Sequence, residues 1–409
     1  MEEWVLFLAQ GNISGSPWDY VSPCEQDPAA YLEDGVLYQR NGILKHFWLP
    51  YNGLIGSGIP PELNLLTDLE TLVLDELKLI STMPEELFGL TNLEFLSMND
   101  CGLYGSIPEA IGRLSNLEIL YLGINSLTGT IPSSLYSLAN SISTLVLLDN
   151  QLTGPLPTEL GLLTNLVGLA LDTNLFTSTI PMELGRLTLL EGILLRSLML
   201  SGTIPSELAL LTDMEHLELD DSSLTGTIPR WLGNMTSIEG LTMGDNSFTG
   251  TIPTELGLLS MMRILYLYFN SLSGTIPSEF GMYKQVDVLG LHGNNLTGTI
   301  PTELGKLTRG LWQLWLNDND LTGTVPLELG NVPFPAPYGQ VYLYGNDLSG
   351  IIPEGLCSAN DLTFDCSSQL CGCDWCNCSS TRTSMVLMEI ENQTNGDGQL
   401  VGEENQTST

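Results

Sequence analysis

The side chains best suited to proton transfer or metal binding in this chain are three histidines, His46, His216 and His292. They are far apart in the sequence, and none belongs to a His-Glu-x-x-His motif. The sequence also has no phosphate-binding loop and no nucleophile elbow. We therefore expect no catalytic residue, no metal site and no cofactor, and we interpret the histidines as exposed polar residues on separate strands.

Sulfur chemistry is concentrated in one short segment near the C-terminus, which carries Cys357, Cys366, Cys371, Cys373, Cys376 and Cys378. The last four could hold zinc through their thiolates, whereas all six could form three disulfides whose pairing the sequence does not determine. Two cysteines stand apart from this segment. Cys101 falls at an inward position, where we expect a buried free thiol, and the state of Cys24 is left open.

A repeat positions nearly all other side chains. The motif Leu-x-Gly-x-Ile-Pro recurs from Pro60 to Pro353, with nine intervals of 24 residues, two of 25 and one of 27. Each unit also carries the pattern Leu-x-x-Leu-x-Leu-x-x-Asn, which predicts a short strand followed by an inward asparagine. The amide of that asparagine can bond backbone groups of the turn. Four units replace it, with Leu77, Cys101, Leu198 and Ser222.

The repeat predicts an α/β fold, a right-handed solenoid of about 13 coils of 24 residues with a parallel sheet on its concave face. A short helical turn is expected after each proline, on the opposite side. The expected organisation is an N-terminal cap at 1–43, the solenoid at 44–356, a Cys-rich cap at 357–378 and a disordered polar tail at 379–409.

The outward strand positions of the concave face form columns, because neighbouring coils stack at about 4.8 Å. In the middle and late coils these positions carry His216, Glu218, Asp220, Asp221, Asp245, Tyr266, Tyr268, His292, Gln313, Trp315, Asn317, Tyr342 and Tyr344. An acidic patch beside an aromatic patch is typical of a binding surface. We expect the ligand to be a protein, a peptide or a glycan, with a cationic partner favoured by the acidic residues.

The repeat resembles the plant-type leucine-rich repeat of receptor-like kinase ectodomains, receptor-like proteins and polygalacturonase inhibitors, over roughly residues 44–356. The resemblance implies a recognition module at the cell surface or outside the cell, with a membrane-anchored co-receptor as a further partner. It also favours disulfides over zinc in the C-terminal segment, as in similar Cys-rich caps of algal proteins. The family's N-terminal cap pairs two cysteines, but Tyr38 stands where the partner of Cys24 is expected.

Composition excludes several kinds of partner. The chain has 12 Lys+Arg against 48 Asp+Glu, a formal net charge of −36, so we expect no nucleic-acid partner and no binding to anionic membranes. No apolar run approaches the ~20 residues of a membrane span, and Glu2 and Glu3 stand where an export signal would be basic. We therefore expect the signal or anchor to be absent from this chain.

Six Asn-x-Ser/Thr sequences predict glycosylation in an exported protein: Asn12, Asn234, Asn295, Asn377, Asn392 and Asn405.

Two further columns support alternative interpretations. A glutamate stands two residues after most repeat prolines, as at Glu159 and Glu255, where it suits the positive end of a short helix better than a cation ladder. Threonine pairs such as Thr128 and Thr130 recur in the same register. They leave open a structural or stress-protective protein that binds wall polysaccharide or ice through repetitive threonine columns.

Overall fold

A computed structural model describes residues 36–40, 43–48, 58–335, 339–359, 361–365 and 377–379. The chain forms a solenoid whose long sheet has sixteen strands. All neighbours in this sheet are parallel except the first pair, Val36–Arg40 and Ile43–Trp48, which form an antiparallel hairpin at its N-terminal edge. The predicted solenoid with a parallel concave sheet is confirmed.

Successive concave strands begin about one repeat apart in the sequence. Residues at the same position of the repeat lie opposite each other in neighbouring strands. From Thr71–Val73 to Gln340–Tyr342 every concave strand has three residues, and its central residue lies opposite that of the next, as Leu145 does to Leu169 and Leu169 to Ile193. These central side chains are buried, so the residues on either side face outward. After the initial hairpin, the strands are Thr71–Val73, Phe95–Ser97, Ile119–Tyr121, Thr144–Val146, Gly168–Ala170, Gly192–Leu194, His216–Glu218, Gly240–Thr242, Ile264–Tyr266, Val288–Gly290, Gln313–Trp315, Gln340–Tyr342, Asp361–Asp365 and Asn377–Ser379.

A second sheet of eleven strands follows the Leu-x-Gly part of the motif. Its strands are Tyr104–Ser106, Ser126–Gly129, Gln151–Pro155, Leu175–Ser178, Met199–Gly202, Ser223–Thr227, Ser247–Thr251, Ser271–Gly274, Asn295–Gly298, Asp320–Thr324 and Asp347–Ser349. In five pairs the first threonine donates its hydroxyl to a glycine carbonyl of the preceding coil, as Thr177 does to the Gly154 carbonyl at 3.3 Å and Thr225 to Gly202 at 3.2 Å. The threonine columns therefore link the coils to one another.

The predicted helical turns are short 3₁₀ helices that begin after the repeat proline. They are Pro61–Leu65, Glu85–Gly89, Glu109–Arg113, Ser133–Leu138, Thr158–Leu162, Met182–Arg186, Ser206–Leu210, Arg230–Asn234, Thr254–Leu258, Ser278–Met282, Thr302–Lys306, Leu327–Asn331 and Glu354–Ser358. The glutamate column lies in their first turns, as at Glu159. Gly161 is needed for close stacking, because a Cβ there would collide with the Glu183 carbonyl of the next helix.

The asparagine ladder joins consecutive coils as predicted. The Asn174 side chain accepts a hydrogen bond from Leu152 N at 2.9 Å and donates to Leu147 O of the preceding coil and Leu171 O of its own. Where the asparagine is missing, other contacts take its place. Cys101 is buried without a disulfide, as predicted, and its thiol lies 2.9 Å from Leu74 O.

Candidate functional site

An aromatic row crosses the late coils of the concave sheet. Tyr266, Trp315 and Tyr342 are each the third residue of their strands, and the register aligns them with Gly290 between the first two. The Trp315 ring lies nearly parallel to that of Tyr266, at 6.1 Å between centroids and 14° between planes. It is also parallel to Tyr342, at 5.9 Å and 5°. Both faces of Trp315 therefore have an aromatic neighbour.

Gly290 provides the space for this row. A Cβ at this position would come within 2.7 Å of the Tyr266 ring, so the tyrosine side chain leans over the glycine towards Trp315. Hydrogen bonds fix the ends of the row: the Tyr266 hydroxyl donates to Gln313 Oε1 at 3.3 Å and the Tyr342 hydroxyl to Asp361 Oδ2 at 2.6 Å. The candidate residue Gln313 thus acts within the row as an acceptor.

A second row lies two residues further along the coils. Tyr268 stacks on His292 at 5.0 Å and 15°, and the edge of His292 meets Trp315 at 5.5 Å and 81°. Phe269 also packs edge-on against His292, at 4.9 Å. We call Tyr266, Tyr268, His292, Trp315 and Tyr342 together the aromatic wall.

Burial shapes the chemistry of the wall. The histidines are not fully exposed, which corrects the expectation from the sequence: His46, His216 and His292 are all partly buried. Burial lowers the pKa of His292 to about 4, so its imidazole is neutral at physiological pH. Burial also raises the pKa of Tyr266 to about 12. The wall therefore presents neutral aromatic side chains.

Three polar atoms of this surface are buried and have no hydrogen-bond partner within the part of the chain that the structure describes. They are Trp315 Nε1, His292 Nδ1 and Asn317 Oδ1. The Asn317 side chain is only 4% exposed, and its amide nitrogen donates to the Tyr344 hydroxyl at 2.8 Å. Buried polar groups usually have a partner, so a donor, a ring nitrogen and an acceptor lack the partner that water, or a ligand that displaces neighbouring side chains, would supply.

A charged cluster lies on the middle coils of the same face. Arg196 Nε is 3.0 Å from Glu218 Oε2 and 4.0 Å from Asp172 Oδ1. Asp220 accepts a hydrogen bond from Gly244 N at 2.7 Å and another from the Thr242 hydroxyl. Asp172, Glu218 and Asp220 are 3%, 7% and 5% exposed. The sequence predicted an open acidic patch. At Glu218 and Asp220 this is wrong, because both carboxyls belong to a buried cluster around the guanidinium of Arg196.

The carboxyl groups of this cluster resist ionisation. Burial raises the pKa of Asp172 to about 6 although Arg196 opposes the shift, and it raises those of Glu218 and Asp220 to about 7. Tyr268 lies alongside, since a Cβ on Gly244 would collide with its ring. The cluster and the aromatic wall thus form one continuous surface.

Asp221 and Asp245 are the exposed acidic residues of the predicted site. Both adopt positive φ, 52° and 53°, in the turn after the strand. Aspartate tolerates this left-handed conformation better than most residues. The same turn position carries Asp100, Asp149 and Asp318 in other coils. Backbone geometry therefore accounts for an aspartate at these two positions without a ligand.

The set of ligand-binding residues predicted from the sequence does not include Phe269, Arg196, Asp172 and Thr242. Phe269 stands at the left-handed turn position, φ 44°, outside the strand columns that the repeat identifies. Arg196 and Asp172 follow the strand pattern, but only the register shows that they meet Glu218. An unusual bulky residue at an Asp/Gly turn position was the one available signal for Phe269.

Several predicted features lie outside the described side chains. These are the six C-terminal cysteines, Cys24, and the glycosylation positions Asn12, Asn377, Asn392 and Asn405. Asn234 and Asn295 are described and exposed, so their glycosylation stays a prediction. Among described residues, no group of three or more His, Cys, Asp or Glu is arranged to hold a metal ion. Within the same ranges, no helix is long and apolar enough to cross a membrane.

Comparison with protein families identifies the repeat. The Leucine Rich Repeat model matches residues 92–114, 116–138, 261–282 and 285–307. Comparison with curated proteins gives no match.

Solved structures are similar over most of the chain. The plant peptide hormone receptor RGFR1, in complex with RGF2, is 33% identical with a TM-score of 0.72, over 82% of this chain and 52% of that one. The Arabidopsis receptor kinase HAESA ectodomain, in complex with an extended IDA peptide hormone, is 30% identical with a TM-score of 0.72, over 85% and 58%. The Leptospira interrogans protein LIC12759 is 29% identical with a TM-score of 0.60, over 86% and 94%. The chain thus spans about half the length of the two plant receptor structures.

Proposed function

Because the chain is a leucine-rich repeat protein of the plant type, we propose that its concave face binds a peptide segment of a partner, without catalysis. The proposed setting is the cell surface or the extracellular space. A membrane-anchored co-receptor remains a prediction from the family resemblance. The boundaries of the two caps and of the tail remain predictions from the sequence.

The observation that carries this proposal is the aromatic wall together with three unpartnered polar atoms, two of the wall itself and one of the adjacent Asn317. Tyrosine and tryptophan supply large, rigid contact area and dominate the energetics of many interfaces. A buried polar atom without a partner costs about 1–3 kcal/mol, and a ligand that supplies the missing bond removes this cost. Peptide groups carry both a donor and an acceptor, so they can satisfy Trp315 Nε1 and Asn317 Oδ1 together.

The arrangement of the rings favours a peptide over a glycan. A sugar ring that stacks on tryptophan needs an open aromatic face, but both faces of Trp315 lie against tyrosines at about 6 Å. The ring edges of the wall are what a ligand can reach directly, and the buried polar atoms become accessible only when neighbouring side chains shift. The similar structures of RGFR1 and HAESA are those of peptide hormone receptors or complexes, which supports the same class of ligand.

Charge makes a cationic peptide the better partner. The formal net charge of −36 attracts positive ligands and repels negative ones. The exposed carboxylates of Asp221 and Asp245 lie beside the charged cluster. We therefore expect faster association at low salt, although contacts with the neutral wall set most of the affinity.

The threonine columns carry less weight as a second function. The hydroxyls of Thr177, Thr225 and their equivalents donate to glycine carbonyls of the preceding coil. The donors of this first column are thus used within the fold, so they are less free to order water or bind polysaccharide. The second threonine of a pair, such as Thr179, is exposed and is not used in this way.

A peptide array and a glycan array, both probed with the purified protein, test the proposal. We expect selective peptide binding that Trp315→Ala weakens by up to about 2 kcal/mol. Tyr104→Ala is the matched control, because Tyr104 is 49% exposed and lies on the second sheet. Binding to glycans alone, or equal losses in both variants, would contradict a peptide site on the wall.

A further inference from the structure

A cavity of about 290 Å³ lies outside the concave sheet, and its lining is unusual in charge. Lys284, Lys306 and Arg309 line it together with Gly281, Met282, Tyr283, Val286, Leu307, Thr308 and Gly310. No carboxylate belongs to this lining, although acidic residues outnumber basic ones 48 to 12 in the chain. Three of the twelve basic residues therefore meet at one place without an acidic neighbour in the wall of the cavity.

The three cations also lack ion pairs. Lys45, Arg113, Arg196, Arg230 and Arg263 each pair with a carboxylate. Among the side chains that the structure describes, Lys284, Lys306 and Arg309 form no such pair, and only Lys78 and Arg186 share this property. Unpaired cations are thus concentrated at the cavity in a protein where acidic partners are abundant.

The cavity lies at an irregularity of the repeat. In a regular coil Leu190 stands three positions after Leu187, and Leu190 N bonds Leu187 O at 2.9 Å. In the coil after Pro301, which has 25 residues, the corresponding leucines are Leu307 and Leu311.

The extra residue is accommodated by Gly310. This glycine adopts φ +105°, and Leu311 N bonds Pro333 O at 3.1 Å instead of the usual carbonyl. The bulged loop carries Arg309 to the side of Lys306 and Lys284. Arg309 and Gly310, which lie in the loop with the one-residue insertion, thus both line the basic cavity.

We propose that this cavity binds a compact oxyanion, a phosphate or sulfate group that is either free or carried on a small molecule. Arg309 can supply two parallel donors to such a group, and the lysines supply point charges. Thr308 adds a hydroxyl donor. The volume lies at the low end for ligand pockets, and the net charge of −36 repels extended polyanions. This site is separate from the proposed peptide surface, because none of its lining residues belongs to a concave strand.

Isothermal titration of the whole chain with inorganic phosphate, in a non-phosphate buffer at constant ionic strength, tests this site. We expect saturable binding, weakened more than about tenfold in a variant with Lys284→Gln, Lys306→Gln and Arg309→Gln, because charge-assisted bonds are lost. All three side chains are exposed, so the thermal midpoint should not change.

The matched control combines Lys78→Gln with Arg186→Gln. Both residues are exposed, and Arg186 ends its helix as Lys306 does. Unchanged phosphate affinity in this control supports the cavity. An equal loss in the control, or binding that does not saturate, would overturn it.

Two further ligands separate the possible sources and classes of anion. Phosphoserine that binds as tightly as phosphate supports a group carried on a larger molecule, whereas weaker phosphoserine binding supports the free ion. Acetate that binds as tightly as phosphate would overturn the choice of a tetrahedral oxyanion.

Discussion

The buried charged cluster makes the stability of the protein depend on pH in a defined direction. Burial raises the pKa of Glu218 from its ordinary value of 4.5 to about 7. The folded protein therefore keeps a proton that the unfolded chain releases between these values. The contribution of this group to stability is therefore largest below about pH 4.5, falls as the pH rises through this window, and levels off above about pH 7.

The size of the effect follows from the raised pKa. One unit corresponds to about 1.4 kcal/mol, so the shift of Glu218 alone corresponds to about 3 kcal/mol. Asp172 and Asp220 shift in the same direction. All three carboxyls interact with one guanidinium, so their effects on stability do not simply add. We therefore expect the free energy of unfolding to change by about 3 kcal/mol for the whole cluster.

The variant Glu218→Gln isolates this effect, because glutamine resembles the neutral acid in shape. At pH 4.5 the variant and the unmodified protein should unfold at similar urea concentrations. At pH 8 the variant should be more stable, by up to about 3 kcal/mol. Tryptophan fluorescence during urea unfolding, at several pH values, measures the difference.

Asp221→Asn is the matched control, since Asp221 is exposed in the adjacent turn. Its difference from the unmodified protein should stay nearly constant with pH. A Glu218→Gln variant that is less stable than the unmodified protein at pH 8 would refute the reasoning, because Arg196 would then stabilise the ionised carboxylate beyond its cost of burial.

Three further outcomes are expected. Asn174→Ala should destabilise the fold by roughly 3 kcal/mol in urea unfolding, because it leaves backbone groups of two coils without partners; a change below about 0.5 kcal/mol would contradict the ladder's role. Gly290→Ala should displace Tyr266 and lower peptide affinity with little change in the thermal midpoint, and unchanged affinity would argue against the wall as the binding site. Mass spectrometry of the non-reduced protein should show three disulfides within residues 357–378, and six free thiols in protein from its native compartment would contradict the prediction.

The sequence predicted the fold well because the repeat constrains it at every coil. The spacing of the prolines sets the stacking, the leucine alternation sets the strand, and the asparagine sets the turn. Because equivalent positions of neighbouring repeats lie opposite each other in the sheet, the sequence also indicated which side chains are neighbours. That is why the sequence alone assigns Tyr266, Trp315 and Tyr342 to one surface.

The direction in which outward side chains lean could not be predicted. Gly240, Gly244 and Gly290 leave gaps that His216, Tyr268 and Tyr266 fill, and these contacts bury groups that the strand pattern marks as exposed. Burial then decides the chemistry, because it makes His292 neutral and makes Glu218 hard to ionise. The insertion near Gly310 was visible as a 25-residue interval, but the meeting of three cations required the structure.

The dimensions of the concave face limit the ligand that it can accept. Five steps of the sheet separate the strand of Glu218 from that of Tyr342, which is about 24 Å at the usual strand spacing. An extended peptide covers about 3.4 Å per residue, so about seven residues reach from the charged cluster to the end of the aromatic wall. A cationic side chain at one end of such a peptide would lie beside Asp221 and Asp245. The other end of the peptide would then contact Trp315. A peptide much shorter than this cannot reach from the charged cluster to Tyr342, so it would lose contact with the far end of the aromatic wall.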